Sequence, residues 1–330
     1  MINRKKFIRL GAWGVSSLFV TATLSNSIVA TNRSNKKTKV RFGIISDLHY
    51  DLMHDGEQRA QQFITTMKNE LPDFIIQLGD FCVPKPENKK LLEIWNQFRG
   101  DAFHVLGNHD TDGGYSAEQT LTFWQMPARY YSFDKNGFHF VVLDGNEKSE
   151  TNKISGYPRT IASEQRQWLK TDLQKTNLPC VIFCHQGLDN TDNGLDNGME
   201  IRYLLEQINR NAGFKKVLLV CSGHHHLNYH NEINGIHYVQ INSASYYWAG
   251  EDYTGSGLPD SVYRTHPILK HTLIYKDPIW AVITIDMEKN IEIDGSESSL
   301  AGPDLAHSGI DQQKSVYPIT AKIDSRKLRY

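Results

Sequence analysis

Hydrophobic and polar positions follow two alternating patterns from residue 39 onward. Short apolar runs rich in β-branched residues predict strands, and the longer stretches between them, whose apolar residues recur at helical spacing, predict helices. This alternation is typical of a layered α/β domain. The predicted strands are residues 40–46, 74–78, 103–106, 138–143, 181–184, 217–221, 237–241, 273–275 and 280–285. The predicted helices are residues 58–69, 88–98, 163–175 and 199–211.

The pattern changes in the last third of the chain. Strands from residue 237 onward follow one another without a strong helix between them, and residues 286–290 predict a hairpin turn before a strand at 291–293. We therefore expect an α/β fold in which a mixed β-sandwich is flanked by helices.

The domain organisation follows from what separates these elements. The mature chain has no internal repeat, low-complexity tract or Pro/Gly/Ser-rich linker, which favours one domain over residues 38–294. Residues 295–314 are polar and lack a clear period, so they predict a surface loop. We expect this loop to lead into a short terminal strand around residues 317–323, with residues 295–330 packed on the same domain.

The first 30 residues differ from the rest and predict a signal peptide. Four basic residues precede an apolar stretch at 10–22 that is too short for a stable membrane span, and small polar residues follow. Residues 4–9 resemble a twin-arginine export signal, except that Lys5 stands in the second arginine place. A general secretory signal fits nearly as well, and an uncleaved first helix is the alternative. The prediction is an exported protein, periplasmic or extracellular, with no stable membrane span after signal removal.

Composition and charge narrow the class of protein. The chain has 330 residues, of which 39% are hydrophobic and 22% are charged, as in ordinary globular proteins. Without the basic N-terminus, 32 basic residues face 37 acidic ones, so nucleic-acid polymers are not expected as partners. The four cysteines lie in or near apolar runs without Cys-x-x-Cys spacing, which predicts buried free thiols.

Candidate chemistry is concentrated where predicted strands end. Ligands of α/β sheets bind at the carboxyl ends of the strands, and five strand ends here carry Asp, Asn or His side chains. Each motif alone is weak, but the ordered series is specific. The motifs are Ser46-Asp47-Leu48-His49, Gly79-Asp80, Gly107-Asn108-His109-Asp110, Cys184-His185 and Gly223-His224-His225-His226.

In this order the motifs resemble those of the calcineurin-like metallophosphoesterase superfamily, from Asp47 to His226. The resemblance implies a metallophosphoesterase-like sandwich that holds two divalent metal ions. Imidazole and carboxylate ligands suit Mn, Fe or Zn. By this resemblance, one ion is held by Asp47, His49, Asp80 and His226, and the other by Asp80, Asn108, His185 and His224.

The implied reaction is phosphoester hydrolysis. A metal pair lowers the pKa of a bridging water and stabilises both the attacking and the leaving oxygen, so hydroxide serves as the nucleophile. The resemblance assigns His109 to protonate or stabilise the leaving oxygen and Asp110 to orient its imidazole. The alternative for His109 is a plain phosphate-binding group.

The substrate is predicted only as a small-molecule phosphoester, either a monoester or a diester. Val83 stands where purple acid phosphatases carry a ligand tyrosine, and the motifs lack the adjacent arginines of protein phosphatases. His225, Tyr246 and Tyr247 are the candidate substrate contacts, with packing or exposure to solvent as the alternative for each. A nucleotide-sugar or nucleotide-alcohol diphosphatase is the rival enzyme, and a non-catalytic metal-binding scaffold is the rival class.

Overall fold

The computed structural model describes residues 39–149, 156–255, 257–312 and 315–330. The predicted signal peptide at residues 1–30 lies outside these residues. Fourteen strands are described, and twelve of them form two six-stranded sheets. They are β1 (Lys39–Ile45), β2 (Phe74–Gln77), β3 (Asp101–His104), β4 (Tyr131–Lys135), β5 (Phe138–Leu143), β6 (Cys180–Cys184), β7 (Val217–Ser222), β8 (Tyr229–Ile233), β9 (Ile236–Gln240), β10 (Tyr246–Trp248), β11 (Thr272–Ile274), β12 (Ala281–Asp286), β13 (Asn290–Gly295) and β14 (Arg326–Arg329).

Helices connect the parallel strands of both sheets, except for β7 and β9, which are joined through β8. A parallel pair needs a crossover connection, and the amphipathic stretches between the strands supply it. In the described residues no helix combines the length and the apolar character needed to cross a membrane. The α-helices are α1 (Gly56–Glu70), α2 (Lys89–Trp95), α3 (Ala117–Trp124), α4 (Ser163–Lys175), α5 (Gly198–Ala212) and α6 (Asp260–Thr265).

The first sheet has the strand order β14-β13-β12-β1-β2-β3. β1, β2 and β3 run parallel, whereas β12, β13 and β14 are antiparallel to their neighbours. The second sheet has the order β4-β5-β6-β7-β9-β8, with a parallel centre and antiparallel edges. Each sheet therefore brings the carboxyl ends of its parallel strands to one edge.

The two sheets pack face to face through aromatic side chains. Phe42 of β1 contacts Phe140 and Phe183 of the second sheet edge to face, with ring centroids 5.8 and 5.7 Å apart. Phe74 of β2 contacts Phe140 at 4.9 Å. All four rings are buried, and edge-to-face pairs of this kind add to the hydrophobic stabilisation of the core. The predicted mixed sandwich flanked by helices is confirmed.

The terminal strand lies later than the sequence predicts. The structure forms it as β14, which pairs with β13, instead of at residues 317–323. In the predicted stretch, the side chain of Asn242 donates hydrogen bonds to the carbonyls of Thr320 and Lys322, at 2.7 and 3.1 Å. In a strand these carbonyls would accept hydrogen bonds from a neighbouring strand, but here a side chain supplies the donors.

The four cysteines are free and buried, as predicted. Burial raises the pKa of each thiol above its ordinary value. These thiols are therefore protonated at neutral pH and act as small apolar core residues.

Candidate metal centre

All seven predicted metal ligands lie at the edge where the parallel strands of the two sheets end. β1, β2 and β3 of the first sheet lead into the ligands Asp47, His49, Asp80 and Asn108. β6 and β7 of the second sheet lead into His185, His224 and His226. The centre is therefore built where the two sheets meet, and neither sheet supplies it alone.

The backbone at this edge is unusual. Five of the seven ligand residues have positive φ, a region that costs a residue with a side chain of order 1 kcal/mol or more. A residue with positive φ ends the extended path of the strand and turns the chain sharply. The values are 52° at Asp47, 47° at His49, 51° at Asp80, 75° at His224 and 51° at His226.

Glycines make room for this close approach of backbone segments. Gly79 has φ 102°, which a side chain would strain. A Cβ at Gly107 would collide with the backbone nitrogen and the carboxylate of Asp80. The Gly-Asp and Gly-Asn motifs therefore reflect steric demands of the centre as well as ligand chemistry.

The first ligand cluster contains Asp47, His49, Asp80 and His226. The Nε2 atoms of His49 and His226 are 3.2 Å apart. Nε2 of His226 lies 3.2 Å from Oδ1 of Asp47, and Nε2 of His49 lies 3.7 Å from Oδ2 of Asp80. Two imidazole nitrogens that face each other beside two carboxylates fit a divalent cation between them.

The second cluster shares Asp80 and adds Asn108, His185 and His224. Nε2 of His185 lies 3.2 Å from the same Asp80 Oδ2 and 3.1 Å from Oδ1 of Asn108. Asp80, His185 and His224 each offer one ligand atom, and these atoms lie within 4.8 Å of one another. Asp80 thus stands between two candidate metal sites.

Electrostatics set different protonation states for the ligand side chains. Burial, reinforced by His226, lowers the pKa of His49 to about 3, which leaves its imidazole neutral. Burial also lowers the pKa of His224 well below its ordinary value. Although burial opposes ionisation of Asp47 and Asp80, neighbouring histidines outweigh it and lower the pKa of both carboxyls. Burial also lowers the pKa of His185, but Asp80 outweighs it and raises this pKa to about 9. The clusters therefore combine ionised carboxylates with neutral imidazoles at His49 and His224, whereas His185 must give up a proton to bind a metal.

Neighbouring groups fix the ligands in orientation. Nδ1 of His185 donates to the carbonyl of Leu78 at 2.8 Å, which directs Nε2 into the centre. The carboxylate of Asp47 accepts the backbone N–H of His224 at 3.0 Å, which ties the two sheets together at the ligands. Such supporting hydrogen bonds set the tautomer and rotamer of a ligand before any metal arrives.

His109 lies beside the clusters, as the motif predicts, but its partner is not Asp110. Its Nδ1 bonds to Oδ2 of Asp112 at 2.7 Å, and its backbone N–H donates to Asp80 at 2.9 Å. Burial lowers the pKa of His109, but Asp80 and Asp112 outweigh it and raise the pKa to about 9. The predicted orienting role of Asp110 is therefore wrong, and Asp112 has that position.

Asp110 instead holds the loops that carry the ligands. Its fully buried carboxylate accepts backbone N–H groups from Gly107, Asp80, Phe81 and Cys82, at distances of 2.7 to 3.1 Å. Three of these bonds, to Asp80, Phe81 and Cys82, fix the loop after β2 against the loop after β3. Asp110 thus shapes the site through the backbone.

The predicted substrate contacts have different environments. Tyr246 is buried and stacks on His49 with ring centroids 5.0 Å apart, and its ring edge meets His226 at 4.9 Å. It supports two ligands from behind. His225 bonds through Nε2 to the carbonyl of Asp192 at 2.8 Å, and Tyr247 is half-buried. All three line the cleft over the centre.

The cleft has a volume of about 1280 Å³, which is large for a lone phosphate group. Several lining residues escaped the sequence analysis because they lie on loops far from the ligand motifs. Tyr157 and Arg159 follow β5, Ser308 belongs to the segment predicted as a surface loop, and Tyr317 begins the segment predicted as a terminal strand.

Comparison with known proteins agrees with the fold and the centre. The model of the calcineurin-like phosphoesterase family matches residues 40–228, which is more than half of the chain. This chain therefore belongs to the calcineurin-like phosphoesterase family, and its two candidate metal sites lie where that family's motifs were predicted.

Two relatives of known activity are similar in sequence. A manganese-dependent ADP-ribose/CDP-alcohol diphosphatase of Arabidopsis thaliana is 30% identical over 151 residues, which are 37% of this chain and 47% of the relative. A 3',5'-cyclic-nucleotide phosphodiesterase of Nostoc is 22% identical over 267 residues, 74% of this chain and 92% of the relative. The match thus covers about half of the first relative and most of the second.

Two solved structures share the fold. A dimetal phosphatase from Danio rerio has a TM-score of 0.56 at 14% identity, over 80% of this chain and 98% of the other. GAP50, the anchor in the inner membrane complex of Plasmodium, has a TM-score of 0.53 at 18% identity, over 89% of each chain. At this identity the likeness concerns the architecture alone.

Proposed function

We propose that this chain is a metal-dependent phosphoesterase that hydrolyses phosphodiesters of small, nucleotide-sized molecules. The observation that carries the proposal is the pair of ligand clusters that share Asp80 at the base of the cleft. The names of both sequence relatives describe the cleavage of phosphodiester or diphosphate bonds in nucleotides, which supports this substrate class.

Two divalent ions fit the seven ligands, and we propose manganese. The donors are imidazole nitrogens and carboxylate or amide oxygens, without a thiolate, and one relative is named as manganese-dependent. When bound, such a pair supplies Lewis acidity to the phosphoryl oxygens and lowers the pKa of water.

The protein's own groups bind and orient the ester. Asn108 contributes its side-chain oxygen to the second cluster, and its N–H₂ would donate to the ester while that oxygen faces a cation. His109 engages Nδ1 with Asp112, which leaves Nε2 to give its proton to the leaving oxygen. The walls of the cleft hold the rest of the substrate and exclude water.

A diphosphatase is the second candidate, favoured by one specific observation. Arg159 supplies a guanidinium to the cleft wall, where it would bind a second phosphate. Its Nε is buried and without a partner among the described residues, whereas its terminal nitrogens bond to Asn193 and Asp196. A monoester needs no such group.

The test is hydrolysis by the purified protein with Mn²⁺ and with a chelator. The substrates are p-nitrophenyl phosphate, bis-p-nitrophenyl phosphate and ADP-ribose, with metal content measured in parallel. We expect two ions per chain and chelator-sensitive cleavage of the diester in preference to the monoester. Preferential cleavage of ADP-ribose would select the diphosphatase. Two bound ions without turnover on any compound would favour a non-catalytic metal-binding scaffold and contradict the proposal.

We also propose that the protein is exported to the periplasm or beyond the cell. The basic, then apolar, then small-residue pattern of residues 1–30 supports this. Cell fractionation of the full chain tests it. Recovery of a shortened chain outside the cytoplasm is expected, and a full-length chain inside it would contradict the proposal.

A further inference from the structure

Three consecutive aromatic residues form β10, and each has a different environment. Tyr246 is buried, and its ring packs on those of His49 and His226. Tyr247 is half-buried and packs against the core between the two sheets. Trp248 lines the cleft and has 41% of its surface exposed. Trp248 is therefore the ring of β10 that is most open to a ligand.

The pleat of β10 places Trp248 at a fixed interval from the metal centre. Successive side chains of a strand alternate between its two faces, so Tyr246 and Trp248 share one face and Tyr247 takes the other. The Cα atoms of Tyr246 and Trp248 are about 7 Å apart along an extended strand. Because Tyr246 packs on the ligand histidines, a group that stacks on Trp248 lies one such interval beyond them. A pentose can span this interval.

β11 holds Trp248 in place through backbone and ring contacts. Trp248 pairs with Thr272 of β11, and the N–H of the next residue, Ala249, donates to the carbonyl of His271 at 2.9 Å. The ring of His271 lies 6.1 Å from the ring of Trp248 and is tilted by 51° to it. A tryptophan side chain has only two torsion angles, so fixing it against a ligand costs little conformational entropy. Trp248 is therefore a rigid platform.

We infer that Trp248 is a specificity-determining residue that stacks on the nucleobase of the substrate, an inference that rests on the proposed phosphoesterase function. Every base has a π-face, so an aromatic platform binds it whatever its hydrogen-bonding groups. Trp248 offers one ring, whereas a quaternary ammonium group is held by a cage of several rings. β10 lies beyond residues 40–228, so this platform is separate from the metal-ligand motifs. The substrate class is then a phosphodiester that carries a nucleoside.

Two diesters with the same leaving group isolate the contribution of the base. Thymidine 5'-(p-nitrophenyl phosphate) and methyl p-nitrophenyl phosphate both release p-nitrophenol, and only the first carries a nucleoside. The test measures kcat and KM on both esters for the Mn²⁺-loaded wild type, W248L and W248F. Leucine keeps an apolar side chain without a ring, whereas phenylalanine keeps a ring. The matched control is Y203L, because Tyr203 lies exposed on α5 outside the cleft.

We expect the wild type to prefer the thymidine ester. In W248L the ratio of kcat/KM for the thymidine ester to kcat/KM for the methyl ester should fall by about 5- to 150-fold, as for the loss of other rings that stack on a base. The fall should arise in KM, because Trp248 acts away from the reacting atoms. W248F should keep more than about one third of the ratio, since its ring still stacks. Y203L should keep the wild-type ratio.

Binding without turnover provides a second measurement. Calorimetry on the Mn²⁺-loaded proteins should show that W248L binds thymidine 5'-monophosphate more weakly than the wild type by a similar factor. An unchanged ratio or an unchanged Kd in W248L, or the same losses in Y203L, would overturn the inference. Failure of the metal-loaded wild type to cleave either ester would instead contradict the proposed function, and the comparison of Kd values would still decide whether Trp248 binds the base.

Discussion

Asp80 is the residue on which both candidate metal sites depend. Its Oδ2 lies near His49 on one side and His185 on the other, and its Oδ1 accepts the N–H of His109. A carboxylate in this position links the two clusters and also fixes the backbone of His109, the candidate general acid. Loss of Asp80 therefore affects both candidate metal sites, whereas loss of a single ligand histidine affects one.

We expect D80N to lose both metal ions and to lower turnover by more than about 100-fold. Loss of a group that only hydrogen-bonds to a metal ligand already lowers activity by about 10- to 100-fold, and Asp80 is itself a candidate ligand. Metal analysis and kcat measured on the same preparation check this. The control is D294N, which changes an exposed carboxylate on β13. A D80N protein that retains two ions would contradict the bridging position.

The sequence brings the candidate ligands together because each follows a strand end by one to four residues, where the direction of the chain is known. It does not predict the partner of His109. After Asn108 the chain forms a 3-10 turn over His109–Gly114, interrupted at Asp112 by φ −60° and ψ 158°. This kink returns Asp112 to His109, whereas Asp110 turns inward to the backbone. The two carboxylates are two residues apart, and only the conformation of the turn decides which of them contacts His109.

At the scale of elements, β4, β5 and α4 are joined by a buried histidine. His139 of β5 bonds through Nδ1 to Asp134 of β4 at 2.6 Å and through Nε2 to Asp172 of α4 at 2.9 Å. Burial lowers the pKa of His139, but the two aspartates outweigh it and raise the pKa above 6.5. The protonated imidazole thus ties a helix to a hairpin.

The sign of the pH dependence follows. A group whose pKa is raised in the folded state contributes stability that is present below pH 6.5 and is lost as pH rises through the raised pKa. We therefore expect H139Q to reduce the free energy of unfolding more at pH 6 than at pH 9. Urea denaturation of both proteins at the two pH values measures this. An equal difference at both pH values would show that the charge has no such role.

Elements are predicted unevenly from the sequence. Long amphipathic helices such as α1, α4 and α5 are found because their apolar period is clear. β8 and β10 are missed, since β8 carries the polar run His230-Asn231-Glu232 and β10 has only three residues. β8 forms by pairing with the adjacent β9 in a hairpin, and β10 forms by pairing with the more distant β11, so both depend on pairing that their own apolar pattern does not encode.

For the whole molecule, the centre joins the two halves of the sandwich. Four ligands come from the first sheet and three from the second, so a bound ion cross-links them. A ligand that binds only the folded state stabilises it by about 2.7 kcal/mol at a concentration 100 times its Kd. Metal therefore acts on the global stability as well as on the reaction.

We expect saturating Mn²⁺ to raise the Tm of the chelator-treated wild type by about 5–10 °C, since 1 kcal/mol corresponds to a few degrees for a chain of this size. Thermal unfolding followed by circular dichroism measures the shift. D80N should show little or none. A similar shift in D80N would mean that the ion acts elsewhere on the surface.

The left-handed backbone at five metal ligands also bears on the evolutionary history that such a chain can have. Glycine or asparagine adopts that conformation with less strain, so many substitutions of these ligands would relieve backbone energy while abolishing the centre. A lineage released from selection for hydrolysis would tend to lose the ligands first and keep the sandwich.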